Sequence, residues 1–254
     1  MKVLKKIKIL EDKCTGCKIC LKVCPYNAIC MKQAKAVIDY DKCTLCTACV
    51  ESCKFNAIEI QKLVGFDSIV KVDEAKGVWV VAEQRNNKLQ SVSFELLAKA
   101  RKLADDLKVK VSAVLLGETI EEEAQILIWR GADKVIMVQA KELLHYQSEP
   151  YSNIITELIK KYKPEIVLGG ATSIGRSLIP RLAVKLNTGL TADCTGLEID
   201  KENKLLLQTR PAFSGNIMAT ILCKNHRPQM TTVRHKVFQE AKEDKQRRGK
   251  IINE

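Results

Sequence analysis

Eight of the eleven cysteines stand in two runs, Cys14-x-x-Cys17-x-x-Cys20-x-x-x-Cys24 and Cys43-x-x-Cys46-x-x-Cys49-x-x-x-Cys53. Thiolates at this spacing hold two [4Fe–4S] cubanes: three come from one tight loop, and the fourth is carried across by the helix of the other run. The expected ligand sets are therefore Cys14, Cys17, Cys20 and Cys53 for one cluster, and Cys43, Cys46, Cys49 and Cys24 for the other. A pair of zinc sites is the rival reading. Zinc groups two Cys-x-x-Cys pairs per metal, and a third cysteine three residues on has no natural place there. Disulfides fit less well, because no secretory signal precedes the cysteines and the chain is too long for a stapled miniprotein. One-electron transfer is the chemistry these residues predict.

The two runs are copies of one unit. Cys24-Pro-Tyr-Asn-Ala-Ile29 answers to Cys53-Lys-Phe-Asn-Ala-Ile58, with a matched aromatic, Asn, Ala and Ile. The aromatic and the Ile are expected to pack against the cubanes and dry them, which affects their potential. Lys54 stands where the first copy has Pro25, a change that alters the turn and removes no ligand. Cys30 falls outside the pattern and reads as a small buried hydrophobe rather than a ligand. Residues 1–62 resemble a complete bacterial two-cluster ferredoxin.

The chain has 254 residues, 46% of them hydrophobic, and carries a formal charge of +12. That length fills more than one core, so two domains are expected. No apolar run approaches the length of a membrane span. Met1–Leu10 is basic, but it alternates like an edge strand rather than a signal peptide, so a reducing cytoplasm is the expected setting. Residues 1–62 carry a net +6 with the cysteines counted neutral. Two oxidised cubanes with their thiolates would bring this to about +2. Much of the basicity thus compensates the clusters and offers a surface to an acidic redox partner. No recognition helix, stacking array or nucleic-acid motif is present, and nucleic acid is not an expected partner.

Residues 63–76 read as a connector, and a different texture starts at Gly77. Strands are predicted at Val78–Ala82, Val111–Leu116, Lys134–Val138 and Ile166–Leu168. Helices are predicted at Phe94–Leu107, Ile120–Trp129, Ile154–Tyr162 and Ser177–Leu186. This alternation predicts a doubly wound, mostly parallel α/β sheet. The last predicted strand enters Gly169-Gly-Ala-Thr-Ser-Ile-Gly175, where such sheets bind ligands and a helix N-terminus can cradle phosphate. The loop matches neither the Walker A spacing nor the dinucleotide fingerprint, so from spacing alone a tight βα turn without ligand is the favoured reading. From Leu190 the pattern turns to short strands (190–194, 205–209, 217–222) that extend the sheet or form an antiparallel edge. Residues 239–254 are charged and read as a linker or tail.

Several phrases of the second region, Gly175-Arg-Ser-Leu-Ile-Pro-Arg-Leu-Ala183, Gly189-Leu-Thr-Ala-Asp-Cys-Thr-Gly196, Gln208-Thr-Arg-Pro-Ala-Phe213 and Gly215-Asn-Ile-Met-Ala219, occur in fixed order. His226-Arg-Pro-Gln-Met230 and Thr232-Val-Arg234 follow. Over residues 77–238 this order resembles the alpha subunit of electron transfer flavoproteins. The cysteine-rich front resembles the extension fused to some alpha subunits of electron-bifurcating systems. The resemblance implies an adenine-nucleotide-hydrolase-like α/β domain and an electron-transfer subunit rather than a complete enzyme alone. It implies FAD at an interface shared with a beta subunit in a heterodimer, an acyl-CoA or 2-hydroxy-acid dehydrogenase, and ferredoxin or flavodoxin as further partners. In such systems NADH reduces the flavin, one electron goes to ferredoxin and the other to the dehydrogenase. Arg210 is implied to lie near the shared flavin and favour its anionic reduced form, with Ser214 and Asn216 in the same turn as possible donors. Ser214 departs from the glycine usual at that place. Family members continue into a C-terminal FAD-binding domain. Glu243–Ile252 reads as the lead-in to it, so the chain is expected to end before that domain and a second FAD.

Asp193 and Thr191 are expected to cap or fix a loop at the subunit interface, Cys194 and Cys223 to be core residues, and Glu121–Glu123 to form a helix first turn favoured by the dipole. His145, His226 and His235 make no ligand spacing. No catalytic triad or paired carboxylates are legible. A second class of function, a nucleotide-binding regulatory module with a redox-sensing iron–sulfur domain, rests on the Gly169–Gly175 loop. A nucleic-acid-binding iron–sulfur protein rests on net charge alone.

Overall fold

Each cysteine run is bracketed by two short strands and holds one short helix, as a duplicated unit requires. β1 (Ile7–Ile9), α1 (Ile19–Val23) and β2 (Ile29–Lys32) form the first copy; β3 (Lys35–Ile38), α2 (Ala48–Glu51) and β4 (Ile58–Ile60) form the second. The computed structural model describes residues 7–60, 69–212, 215 and 217–254. β1 pairs antiparallel with β4, setting Ile7 opposite Ile60 and Ile9 opposite Ile58. β2 and β3 form an antiparallel hairpin. Its turn residues Gln33 and Ala34 both have positive φ, the backbone that matches the right-handed twist of the flanking strands. Ile7, Ile29, Ala36, Ile38 and Ile58 bury one small core, and Cys20 and Cys49 are part of it.

The second unit is a seven-stranded parallel sheet. Its strands are β5 (Val78–Val81), β8 (Val111–Gly117), β9 (Lys134–Gln139), β10 (Ile166–Gly170), β11 (Leu190–Cys194), β15 (Gln229–Val233) and β16 (Lys250–Asn253), in the order β11-β15-β10-β5-β8-β9-β16. The chain builds outward from β5 through β8 to β9, then returns to place β10 on its other side, so the switch point lies between β5 and β10. α3 (Ser91–Leu107) and α4 (Glu121–Trp129) cover one face; α5 (Ser148–Tyr162) and α6 (Ser173–Lys185) cover the other. The period-two rule sorts the buried strand residues between the faces. Val78 and Val80 join the α3 side, while Trp79 and Val81 join the α5 side.

The short strands β6 (Gln84–Arg85) and β7 (Lys88–Leu89) form a hairpin after β5. β12 (Gly196–Ile199), β13 (Leu206–Ala212) and β14 (Ile217–Ile221) form a separate antiparallel sheet. The short strands expected after Leu190 therefore do both things: β11 extends the parallel sheet and the rest make an antiparallel one. α5 begins at Ser148, ahead of its predicted start, because Pro150 sits in its first turn, where a missing N–H costs nothing. α6 begins at Ser173 because the Thr172 hydroxyl accepts from Gly175 N at 3.0 Å, an N-cap.

Two segments depart from the sequence reading. The described part of the 63–76 connector packs on the second unit: Val70 is buried and bridges to Arg227, and Lys76 N donates to Lys163 O at 2.9 Å. The expected linker at 239–254 is instead a strap ending in β16, which runs parallel to β9 with Ile252 opposite Ile136. Arg130 holds the strap through the Ala241 carbonyl at 2.7 Å, and Arg247 reaches Asp133 at 2.6 Å. Burial pushes the Asp133 carboxyl up, but the Val111 N–H and the Arg101 guanidinium outweigh it and hold the group below its ordinary value. Composition misleads here because a strap needs few apolar residues when arginines and backbone hydrogen bonds fasten it. Among the described residues no helix is long and apolar enough to cross a membrane.

Candidate metal centres

The fold crosses the cysteine runs. One cavity is lined by Cys14, Cys17, Cys20 and Cys53, and a second by Cys43, Cys46, Cys49 and Cys24. α1 begins just after Cys17 and ends next to Cys24, so it carries that thiol away from its own loop; α2 does the same for Cys53. The duplication reaches the thiols themselves. Ala28 N donates to Cys24 Sγ and Ala57 N to Cys53 Sγ, each at 3.3 Å. Cys20 and Cys49 are buried, Cys17 and Cys46 are exposed, and the other four are half-buried.

These donors fit cubanes. Among the described residues no three His, Cys, Asp or Glu side chains gather tightly enough to hold one metal ion; each set of four thiols surrounds a cavity. The remaining lining is mostly apolar: Ile9, Met31, Ala36, Ala57 and Ile58 in the first, Ile7, Ala28, Ile29 and Ile38 in the second. Phe55 lines the first cavity and Tyr26 the second, yet they are 45% and 48% exposed, so they rim the sites rather than bury them. Gly16 is required by a close approach: its φ is +71°, and a Cβ there would lie 2.3 Å from Ala34 O. Burial pushes the Cys20 and Cys49 thiols above their ordinary value. Loading a metal must therefore release their protons.

In the second unit the Gly169–Gly175 loop is a tight turn. A Cβ on Gly175 would lie 1.8 Å from Gly170 O, so this glycine lets α6 pack against the end of β10. The Glu83 side chain is 7% exposed and its carboxylate accepts from the Thr172 hydroxyl. A buried carboxylate beside a helix N-terminus occupies the favourable end of the dipole and repels a phosphate.

Arg210 lies on β13, half-buried and opposite Ala219 of β14. Its positive charge acts on the Cys194 thiol, although burial dominates and pushes that thiol up. Ser214 and Asn216, singled out with it, lie outside the described residues. Asp193 fixes the end of β11: its N–H donates to Thr232 Oγ1 at 3.0 Å and its carboxylate pairs with Arg176 at 3.1 Å. Thr191 contributes its carbonyl to Thr231 Oγ1 at 3.0 Å.

Residues 13–57 match the 4Fe-4S dicluster domain, and residues 78–254 match the electron transfer flavoprotein domain. The electron transfer flavoprotein subunit alpha of Thermoanaerobacterium thermosaccharolyticum is 55% identical over 181 residues, 71% of this chain and 54% of that protein. The LctC subunit of the lactate dehydrogenase (NAD(+),ferredoxin) of Acetobacterium woodii is 48% identical over 68% of this chain and 41% of its own. The acryloyl-CoA reductase electron transfer subunit beta of Anaerotignum propionicum is 42% identical over 67% and 52%. The chain spans about half the length of the curated relatives it matches. With the dicluster match ahead of a flavoprotein match that covers more than half its length, the chain belongs to the electron transfer flavoprotein family, as an alpha-type chain with an iron–sulfur domain.

Proposed function

We propose that the chain relays single electrons between two [4Fe–4S] clusters and a flavin shared with a beta-type subunit. The observation that carries this reading is the crossed lining of two cavities by four cysteines each. Cys14, Cys17, Cys20 and Cys53 hold one cluster, and Cys43, Cys46, Cys49 and Cys24 the other. When bound, such clusters supply low-potential one-electron chemistry, on the order of −400 mV for ferredoxin-type centres. The Ala28 and Ala57 N–H groups direct positive dipole ends at Cys24 and Cys53, and the apolar linings restrict water, two levers on a cluster potential. Cys17 and Cys46 stay exposed and give an external carrier a short approach to each site.

Electron bifurcation is the form of the relay we infer. It links NADH, ferredoxin or flavodoxin, and an acyl-CoA or 2-hydroxy-acid dehydrogenase. Support comes from relatives named for a ferredoxin-linked lactate dehydrogenase and for acryloyl-CoA reductase. Arg210 provides a cation for the reduced FAD at the subunit interface. Co-expression with a beta-type subunit should yield a complex with close to eight irons, eight sulfides and bound FAD that, once the partner dehydrogenase is added, reduces ferredoxin from NADH only when the dehydrogenase substrate is present to take the other electron. Ferredoxin reduction that is independent of that substrate would favour simple relay over bifurcation. A complex holding zinc and no iron would overturn the ligand assignment.

A further inference from the structure

The two cavities are copies in their thiols and unlike in their rims. A 29-residue shift superposes Cys14 on Cys43, Cys17 on Cys46, Cys20 on Cys49 and Cys24 on Cys53, and it pairs every neighbour. Lys18 lines the first cavity and Thr47 the second. Both stand in the left-handed region, with φ of 62° and 68°, so the backbones agree and only the side chains differ. Lys54 follows Cys53, a thiol of the first cavity, whereas Pro25 follows Cys24, a thiol of the second. The lysine before each run differs too. Lys42, next to Cys43, is paired with Asp39 at 3.4 Å, while Lys13, next to Cys14, has no ion pair among the described residues. Lys18 and Lys54 likewise have none among them.

Lys35 adds a cation to the first site. Its ammonium donates to the carbonyls of Glu11 and Cys14 at 2.7 and 2.6 Å. Its counterpart under the same shift, Lys6, lies outside the described residues. The asymmetry in cations therefore rests on 18 against 47, 54 against 25, and 13 against 42, and it is opposed by one anion, Glu11, where the second copy has Tyr40.

We propose that Lys18 and Lys54 make the site of Cys14, Cys17, Cys20 and Cys53 the easier of the two to reduce, so that the first electron rests there and the Cys43 site acts as the lower-potential step. This rests on the two-cluster reading above. Reduction adds one electron and no proton to a centre that is already negative, so nearby unpaired cations favour the reduced form. Each exposed lysine is expected to shift the one-electron equilibrium by roughly threefold, and the two together by about tenfold, which is about 59 mV for a one-electron couple. The differences sit on the surface, so salt should narrow the gap.

The test is a redox titration of the anaerobic full chain followed by magnetic resonance, after iron and sulfide have been counted. Close to eight of each and two resolved one-electron steps are expected. Lys18→Thr should lower only the upper step, Thr47→Lys should raise only the lower one, and the double exchange should close or invert the gap. Each exchange uses a residue already tolerated at the equivalent position, so folding is not at issue. Two inseparable steps in the parent chain, or a Lys18→Thr variant in which the lower step moves, would overturn the proposal while leaving the clusters in place. Iron far below eight would overturn the cluster reading itself, and the proposal with it.

Discussion

The cysteine lobe and the α/β unit bury their interiors by different means. The lobe gathers five aliphatic or alanine side chains and two cysteines into one small core, with four-cysteine cavities in place of further packing. The α/β unit fills two cores, one on each face of a seven-stranded sheet, from side chains such as Leu96, Leu97, Leu103, Ile155 and Ile159 that have essentially no exposure. A small domain with so little apolar burial needs a staple, and metal binding then becomes folding free energy. A sheet covered by helices on both faces supports itself. In the lobe, site and fold are thus one thing; in the α/β unit a site residue on the separate three-stranded sheet can change without disturbing either core.

Removing iron tests that contrast most severely. An anaerobic chelator should abolish amide protection over residues 7–60 and leave β5, β8, β9 and β10 protected, as read by hydrogen exchange. Protection that persists throughout the lobe in iron-free protein would mean that its small core suffices and that the contrast is wrong.

Next in size is Cys24→Ala. Because Cys24 lines the cavity of Cys43, Cys46 and Cys49, the variant should lose about half of the eight irons a two-cluster protein holds, and the loss should fall on the Cys43 site. Spectroscopy of the reduced variant separates the two centres. Loss confined to the Cys14 site would show that each run keeps its own fourth thiol.

How far each region could be read from sequence follows the same contrast. In the lobe, spacing alone pairs Cys24 with the second run and Cys53 with the first, and the cavities have those linings, because loop geometry is local and short. In the α/β unit the strands beginning at Val78, Val111, Lys134 and Ile166 are legible as apolar runs between helical stretches. β15 is not, because its buried positions include Gln229, Thr231 and Thr232. Three of their oxygens find distant partners: Leu206 N donates to Gln229 Oε1 at 2.9 Å, Thr231 donates to the Thr191 carbonyl, and Asp193 N donates to Thr232 Oγ1. No local pattern announces a polar strand whose partners lie 23 to 40 residues away. β16 is hidden for another reason, since four residues at a sheet edge carry almost no periodic signal. The rim asymmetry of the two cavities is legible in sequence, but only once the crossed thiols assign each lysine to a site.

Within the α/β unit the strap offers a milder test. Asp133→Asn removes the charge that binds Arg101 and Arg247 while keeping the shape, and should cost about 1.5–3 kcal/mol of strap docking, the usual range for hydrogen bonds to charged groups. The pH dependence has a definite sign. The folded Asp133 lies below its ordinary value, so its contribution is present above the unfolded carboxyl value and fades as pH falls through the folded one. Exchange of the β16 amides should therefore accelerate in acid in the parent chain and show less acid dependence in Asp133→Asn. Equal acid sensitivity in both would place the strap's anchor elsewhere, for instance at Arg130.

Arg210→Ala should have the smallest effect, and it asks whether site and fold are separable here. Arg210 sits on β13, half-buried, with Ala219 as its cross-strand neighbour, and it belongs to neither core. Its loss should leave melting behaviour and both cluster steps unchanged. If it faces the flavin of the complex with a beta-type subunit, removing the cation disfavours the anionic reduced form and shifts that flavin's potential downward. A shift of roughly 30 mV corresponds to a tenfold change in a two-electron equilibrium. A cluster potential that moves with the substitution would mean Arg210 acts on the iron–sulfur side instead. A flavin potential that stays fixed while the complex remains intact would remove Arg210 from the flavin site and leave β13 as scaffold.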